Sequence, residues 1–184
     1  AASDVYKRQI ISIGATPVLI KNETDIYELD ALILPGGEST AMKKIDSYSK
    51  VFSLLDDFIK SGKPTLSTCA GTILLAKDVI GGDTTIPNID IQVTRNAYGR
   101  QTESFEGSVS FYDNNDIYCF IRAPKITKIL TDKVEVIAKH NEEIVGVKQD
   151  NIVALTFHPE LNNDKYYLNW LDNFIKEGEN VRTL

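Results

Sequence analysis

Two short stretches of this sequence carry residues able to do nucleophilic chemistry. In the first, Leu66-Ser67-Thr68-Cys69-Ala70-Gly71-Thr72-Ile73, an apolar run led in by Lys63-Pro64 meets good helix formers that continue to Lys77. The pattern predicts a strand, a sharp turn and a helix over Ala70 to Lys77, with the thiol at the corner. Ser67, Ala70 and Gly71 are small enough for the backbone to turn tightly there. Unpaired N–H groups and the macrodipole at a helix start favour a thiolate. The same N–H groups can hold the oxyanion formed when that thiolate attacks a carbonyl. A buried cysteine packed as a small hydrophobe accounts for the stretch too, so the chain must supply a base.

Only His140 and His158 are available as that base. Thr156-Phe157-His158-Pro159-Glu160 follows an apolar strand, and Pro159 favours an extended His158. In an extended chain residues i and i+2 point to one side, so Glu160 can fix the tautomer and position of the imidazole. Cysteine, histidine and an orienting acid make the nucleophile–base–orienter set of acyl transfer. A structural histidine at a strand end is the plain alternative. His140, in the polar turn His140-Asn141-Glu142, is expected to be solvated. Cys119, alternating with Ile117 and Ile121, is expected in the core.

The bulk numbers bound what such a set could serve. The chain has 184 residues, 42% hydrophobic and 25% charged, as in an ordinary single globular domain with a substantial core. A net charge of -6 argues against nucleic acid or an acidic membrane surface as partner. No stretch approaches the ~20 apolar residues of a membrane span, and no signal peptide is evident. Two cysteines do not make a disulfide framework, which suggests a reducing cytoplasm. Neither CxxC nor HExxH spacing occurs, so no metal is expected.

The elements that must position these groups can be read in order. Residues 1–9 are polar and without a period, and are expected to be a leader foreign to the domain, which then occupies 10–184. Ile10 to Gly14 reads as the last turn of a helix capped by Gly14. Thr16 to Lys21 and Ala31 to Leu34 read as strands, the second continuously apolar as in a buried parallel sheet. It runs into Pro35-Gly36-Gly37-Glu38-Ser39-Thr40, where paired glycines permit close backbone approach and Ser39 can cap a helix over Ala41 to Lys60. Strands are expected at Ile89–Thr94, Ser104–Tyr112, Ile117–Ala123, Val134–Lys139, Glu143–Lys148 and Ile152–Phe157. An amphipathic helix closes the chain over Asp164–Glu177. Strands alternating with helices predict an α/β fold, a doubly wound parallel sheet in three layers, with antiparallel strands added in the C-terminal half. Ligands of such sheets bind beyond the C-terminal strand ends, where Pro35-Gly36-Gly37, Cys69 and His158 all fall.

Several motifs occur together in one order: Pro35-Gly36-Gly37-Glu38-Ser39-Thr40, Thr68-Cys69-Ala70-Gly71, Arg95-Asn96-Ala97-Tyr98-Gly99-Arg100-Gln101, Ser104-Phe105-Glu106, Phe120-Ile121-Arg122-Ala123-Pro124 and Phe157-His158-Pro159-Glu160-Leu161. In these the chain resembles the glutaminase subunits of pyridoxal 5′-phosphate synthase, within the class I (triad) glutamine amidotransferases. The resemblance runs from about Ile10 to the C-terminus. It implies a flavodoxin-like fold and hydrolysis of L-glutamine, with ammonia passed to a synthase subunit in a large hetero-oligomer. It assigns Cys69 as nucleophile, His158 as base and Glu160 as its orienter. Substrate contacts fall on Gly37, Glu38, Ser39, Arg95, Ile121 and Arg122, and an oxyanion hole on the N–H groups of Gly37 and Ala70. Glutamine carries an ammonium and a carboxylate, which an acid such as Glu38 and a base such as Arg95 or Arg122 would match. No cofactor is implied, pyridoxal 5′-phosphate being the complex's product.

Two departures bear on this. The family usually has glycine where this chain has Ser67, which is expected to strain the turn or narrow the pocket. The family also begins with a strand bearing a Leu-Gln-Gly type motif that is absent here, so the domain is expected to be truncated at its N-terminus. The competing expectations are a non-catalytic binding subunit, a glutaminase of another amidotransferase pathway, and a thiol hydrolase or redox sensor sharing the cysteine elbow.

Overall fold

The computed structural model describes residues 2–36, 48–96 and 104–182. The expected α/β class is present, and the middle strand of its parallel part shows why. Strand β2 (Thr65–Thr68) is buried at every position. It lies between β1 (Leu32–Leu34) and β10 (Ile152–Leu155) and pairs with both in parallel. Burial on both faces suits short, near-continuously apolar strands of this kind. On β10, Ile152 and Ala154 join one core cluster while Val153 and Leu155 join the other, as the two-residue period of a strand requires.

Beyond β10 the sheet continues antiparallel through β9 (Glu143–Gln149), β8 (Glu135–His140), β5 (Ser104–Phe111) and β6 (Asn114–Ile121), in the order β1-β2-β10-β9-β8-β5-β6. A smaller sheet joins β3 (Ala76–Ile80), β4 (Ile89–Thr94) and β7 (Lys125–Ile129) in the order β3-β4-β7. Helix α2 (Tyr48–Lys60) buries Leu55, Phe58 and Ile59 against one cluster. Helix α4 (Lys165–Arg182) buries Tyr167, Leu171 and Phe174 in the other. The spacing is that of one helical face in each case. The Asp164 carboxylate accepts the Tyr166 N–H at 3.2 Å and so caps α4 at its start.

Several expected elements are corrected. Residues 2–9, expected to stand outside the domain, form most of α1 (Ala2–Ser12), whose Tyr6 and Gln9 are buried one helical turn apart. The expected helix at Ala70–Lys77 is α3 (Ala70–Leu75) only; Ala76 turns extended, with φ -70° and ψ 139°, and β3 follows at once. Thr16–Lys21 forms no strand: Pro17 lacks an N–H for a ladder, and Val18 and Leu19 remain 49% and 46% exposed. Strand β7 was not anticipated. The helix start expected at Ala41 lies outside the described residues. Among the described residues no helix is long and apolar enough to cross a membrane.

Candidate active site

Cys69 stands at a sharp strand-to-helix turn, where the sequence placed it, in a strained conformation. Between β2 and α3, Cys69 adopts φ 51° and ψ -121°, a conformation costing a side-chain-bearing residue on the order of 1–3 kcal/mol. What holds it there is largely one carbonyl. Leu155 O accepts the Cys69 N–H at 2.9 Å and also the Thr72 hydroxyl at 2.7 Å. Because the Thr72 proton is committed to Leu155, Ser67 must be the donor in its 3.0 Å contact with Thr72 Oγ1. Ser67 is fully buried. Its hydroxyl braces the turn through Thr72, which answers the question that a serine at this position raises.

Glycine is required twice beside the thiol. A side chain at Gly71 would run into the Leu34 carbonyl, and one at Gly36 would begin 2.7 Å from Cys69 Cβ and 2.9 Å from the Ala70 nitrogen. The end of β1 therefore lies directly against Cys69. Sequence reasoning missed this role of Gly36, although its place at a strand end was the available signal.

His158 and Glu160 come together by a local route other than the extended one expected. His158 has φ -106° and ψ 86°, and Pro159–Leu161 forms a single 3₁₀ turn instead of continuing a strand. Within that turn the Glu160 carboxylate sits 2.6 Å from His158 Nδ1. Both side chains are buried, His158 at 8% and Glu160 at 4% exposure. With Nδ1 engaged, Nε2 is left for the thiol, and it has no hydrogen-bond partner within the protein. Burial by itself would push the imidazole pKa down; the adjoining Cys69 side chain and Glu160 outweigh it and raise the value to about 10. The second carboxylate oxygen, Oε2, accepts the Tyr6 hydroxyl at 2.7 Å. The Tyr6 pKa is held well above the ordinary value by burial and then by Glu160.

Strand β6 closes the site from the side. Its Cys119 carbonyl accepts the His158 N–H at 2.9 Å, and its Ile121 carbonyl accepts the Cys69 thiol at 3.4 Å. Ile121 thus lies at the nucleophile, and Arg122, exposed and at φ 48°, follows where the chain leaves the strand. Arg95 follows β4, and its guanidinium reaches to 3.1 Å from where a side chain at Gly82 would begin. Gly37, Glu38 and Ser39 lie outside the described residues. Two expectations are corrected. Cys119 belongs to the outer face of β6, with Ile117 58% and Ile121 40% exposed, while Tyr118 and Phe120 fill the core. His140 is half-buried against Phe105 and Phe120 instead of lying in solvent. Among the described residues no group of three or more His, Cys, Asp or Glu is placed to hold a metal ion.

The strained cysteine elbow ends the middle of the three parallel strands, the buried histidine–glutamate pair follows its neighbour, and comparison with known proteins places this fold among the glutamine amidotransferases. The chain belongs to the SNO glutamine amidotransferase family, whose model matches residues 3–180. It is 47% identical over 175 residues to a protein of Methanocaldococcus jannaschii named pyridoxal 5′-phosphate synthase subunit PdxT, covering 94% of this chain and 92% of that one. A protein of the same name from Bacillus cereus is 43% identical over 178 residues, covering 95% and 90%. A crystal structure described as glutamine amidotransferase superposes with a TM-score of 0.85 at 30% identity, covering 94% of this chain and 93% of that one.

Proposed function

We propose that this chain is the glutaminase of a pyridoxal 5′-phosphate synthase, hydrolysing L-glutamine to L-glutamate and ammonia for a synthase subunit in a hetero-oligomer. The observation that carries the chemistry is the buried His158–Glu160 pair, its free Nε2 beside a thiol on a strained elbow. Cys69 attacks the side-chain carboxamide to form a γ-glutamyl thioester. His158 takes the Cys69 thiol proton, gives it to the departing ammonia, then takes one from the water that cleaves the thioester. Glu160 keeps the imidazole in the tautomer these transfers need. The N–H groups of Ala70 and Gly37 take the oxyanion, each such donor being worth roughly 3–4 kcal/mol in comparable sites. Glu38, Arg95 and Arg122 pair with the charged ends of glutamine, and Gly37, Ser39 and Ile121 hold its backbone. The identity of the acceptor rests on the names of the relatives. In a reducing cytoplasm Cys69 and Cys119 would stay free thiols, as they are here.

The test is intact-mass analysis and peptide mapping after exposure to 6-diazo-5-oxo-L-norleucine, a glutamine-mimicking electrophile, with and without the synthase subunit. A single adduct on Cys69 that strengthens with the synthase is expected, and no adduct in Cys69→Ala. Labelling elsewhere, or glutamine turnover by Cys69→Ala, would end the reading.

A further inference from the structure

The β5–β6 hairpin reaches further than the strand beside it. All eight residues of β5 pair with β6, from Ser104↔Ile121 to Phe111↔Asn114, whereas β8 pairs only with Ser110 and Phe111. β8 ends at His140, where Asn141, at φ 53°, turns the chain into β9. The remainder of β5, with the Cys119 to Ile121 end of β6, therefore projects past the β8–β9 turn as an arm. That arm carries the two carbonyls that meet His158 and Cys69.

His140 fills the space beneath it. Its Nδ1 lies 2.8 Å from the Ser108 carbonyl, on a residue of β5 beyond the last β8 pair. Its ring packs on Phe105 at 5.7 Å and Phe120 at 5.4 Å, and those two rings stack on each other at 4.7 Å. A side chain at Gly107 would begin 2.7 Å from His140 Cε1, so the seat exists only because residue 107 has none. Phe120 in turn packs against Phe157, the neighbour of the catalytic histidine, at 5.9 Å. The contacts run without a gap from His140 to the catalytic strand end.

We infer that His140 is a positioning residue of the glutaminase: a strut that sets the β5–β6 arm, and with it the Cys119 and Ile121 carbonyls, over His158 and Cys69. The inference rests on the glutaminase reading above. The arm ends in Ile121, one of the residues proposed above to hold glutamine, so loss of the strut raises KM for glutamine more than it lowers kcat. A misplacement of about 1 Å at such a site can cost on the order of a hundredfold.

The experiment measures glutamine KM and kcat with the synthase subunit present, and Cys69 labelling rates by 6-diazo-5-oxo-L-norleucine and by iodoacetamide, in full-length variants. For His140→Ala a KM increase on the order of tenfold is expected, with diazo labelling slowed to match. Iodoacetamide, which needs the thiol but no glutamine pocket, should label within about twofold of the parent rate. His140→Phe keeps the ring and loses the donor, and should recover most of the effect. Gly107→Ala should mimic His140→Ala, yet add nothing to it in the double variant, because the clash requires the ring. Parent values of KM and labelling in a folded His140→Ala would overturn the inference, as would a Gly107→Ala defect that persists undiminished beside His140→Ala. Absence of diazo labelling on Cys69 in the parent chain would instead sink the glutaminase reading itself.

Discussion

Replacing Glu160 by glutamine tests the base at its root. The amide keeps the size of the carboxylate and can still accept from Nδ1, so the 3₁₀ turn that carries it has no reason to rearrange. What it lacks is charge. His158 holds its proton to about 10 against an ordinary 6.5, a gap on the order of 5 kcal/mol at about 1.36 kcal/mol per pH unit. Cys69 and Glu160 share that effect, so loss of the carboxylate removes on the order of 2 kcal/mol. This lowers the alkaline limit of the imidazolium by roughly one to two pH units. The same energy, expressed in the transition state for thiol attack, in which the imidazolium forms, is about thirtyfold in kcat. The sign is set by the raised pKa: its stabilising contribution is complete below the ordinary value and is lost as pH rises through the folded one. Histidine NMR offers a direct assay, since the chain has only two histidines. The His158 ring should titrate near 10 in the parent and clearly lower in Glu160→Gln, with the alkaline limb of glutaminase activity moving alongside. Superimposable titrations of the two proteins would refute the argument.

Three further outcomes follow from particular contacts. Gly36→Ala puts a methyl 2.7 Å from Cys69 Cβ; a stability loss of about 1–3 kcal/mol by urea denaturation and at least tenfold slower Cys69 labelling are expected. Thr72→Val strands the Ser67 hydroxyl and removes one of the two donors to Leu155; it should cost about 1–3 kcal/mol, most of it restored in Thr72→Ser. Asp90 is kept below the usual carboxylate range by its hydrogen bond to Lys77, aided by Thr131 and Gln149 against the opposing effect of burial. Its contribution is present above the ordinary value of 3.8 and is lost as pH falls through the lowered one. Acid unfolding of Asp90→Asn should accordingly show a shallower pH dependence than the parent.

The residues proposed to do chemistry were legible because their neighbours are local. Cys69 announces itself by the small residues around it, and Glu160 by its distance from His158 in the chain. Both are placed where the pattern put them, although the second pair meets in a turn and not a strand. What stayed hidden depends on distant partners. Alternation along β6 says that Ile117, Cys119 and Ile121 share a face opposite Tyr118 and Phe120, but both faces are apolar. Only the packing of Phe120 on Phe157 and of Tyr118 on Phe157 decides which goes inward. A polar triplet such as His140-Asn141-Glu142 reads as solvated until Gly107, far away in sequence, proves to leave room for the ring. The helix after Cys69 ends at Leu75 because Ala76 and Val79 are drawn into the core beside β4, a tertiary demand that helix propensity does not register.

The acceptors that align the site are backbone atoms, which no motif spells out. Along the free edge of β6, alternate carbonyls at Ile117, Cys119 and Ile121 accept from Asn162 Nδ2 at 2.8 Å, His158 N–H at 2.9 Å and Cys69 Sγ at 3.4 Å. A strand presents such carbonyls at a fixed repeat of about 6.6–6.8 Å, so the edge fixes the spacing of the catalytic segment without contributing a catalytic side chain. The Leu155 carbonyl does the same for the elbow from the neighbouring strand. Register is therefore what the site depends on: a one-residue slip of β6 against β5 would turn Phe120 outward and carry these carbonyls off their partners. The aromatic packing of Phe105, Phe120 and Phe157 guards against that slip. It links the hydrophobic core of the antiparallel half directly to the chemistry of the parallel half.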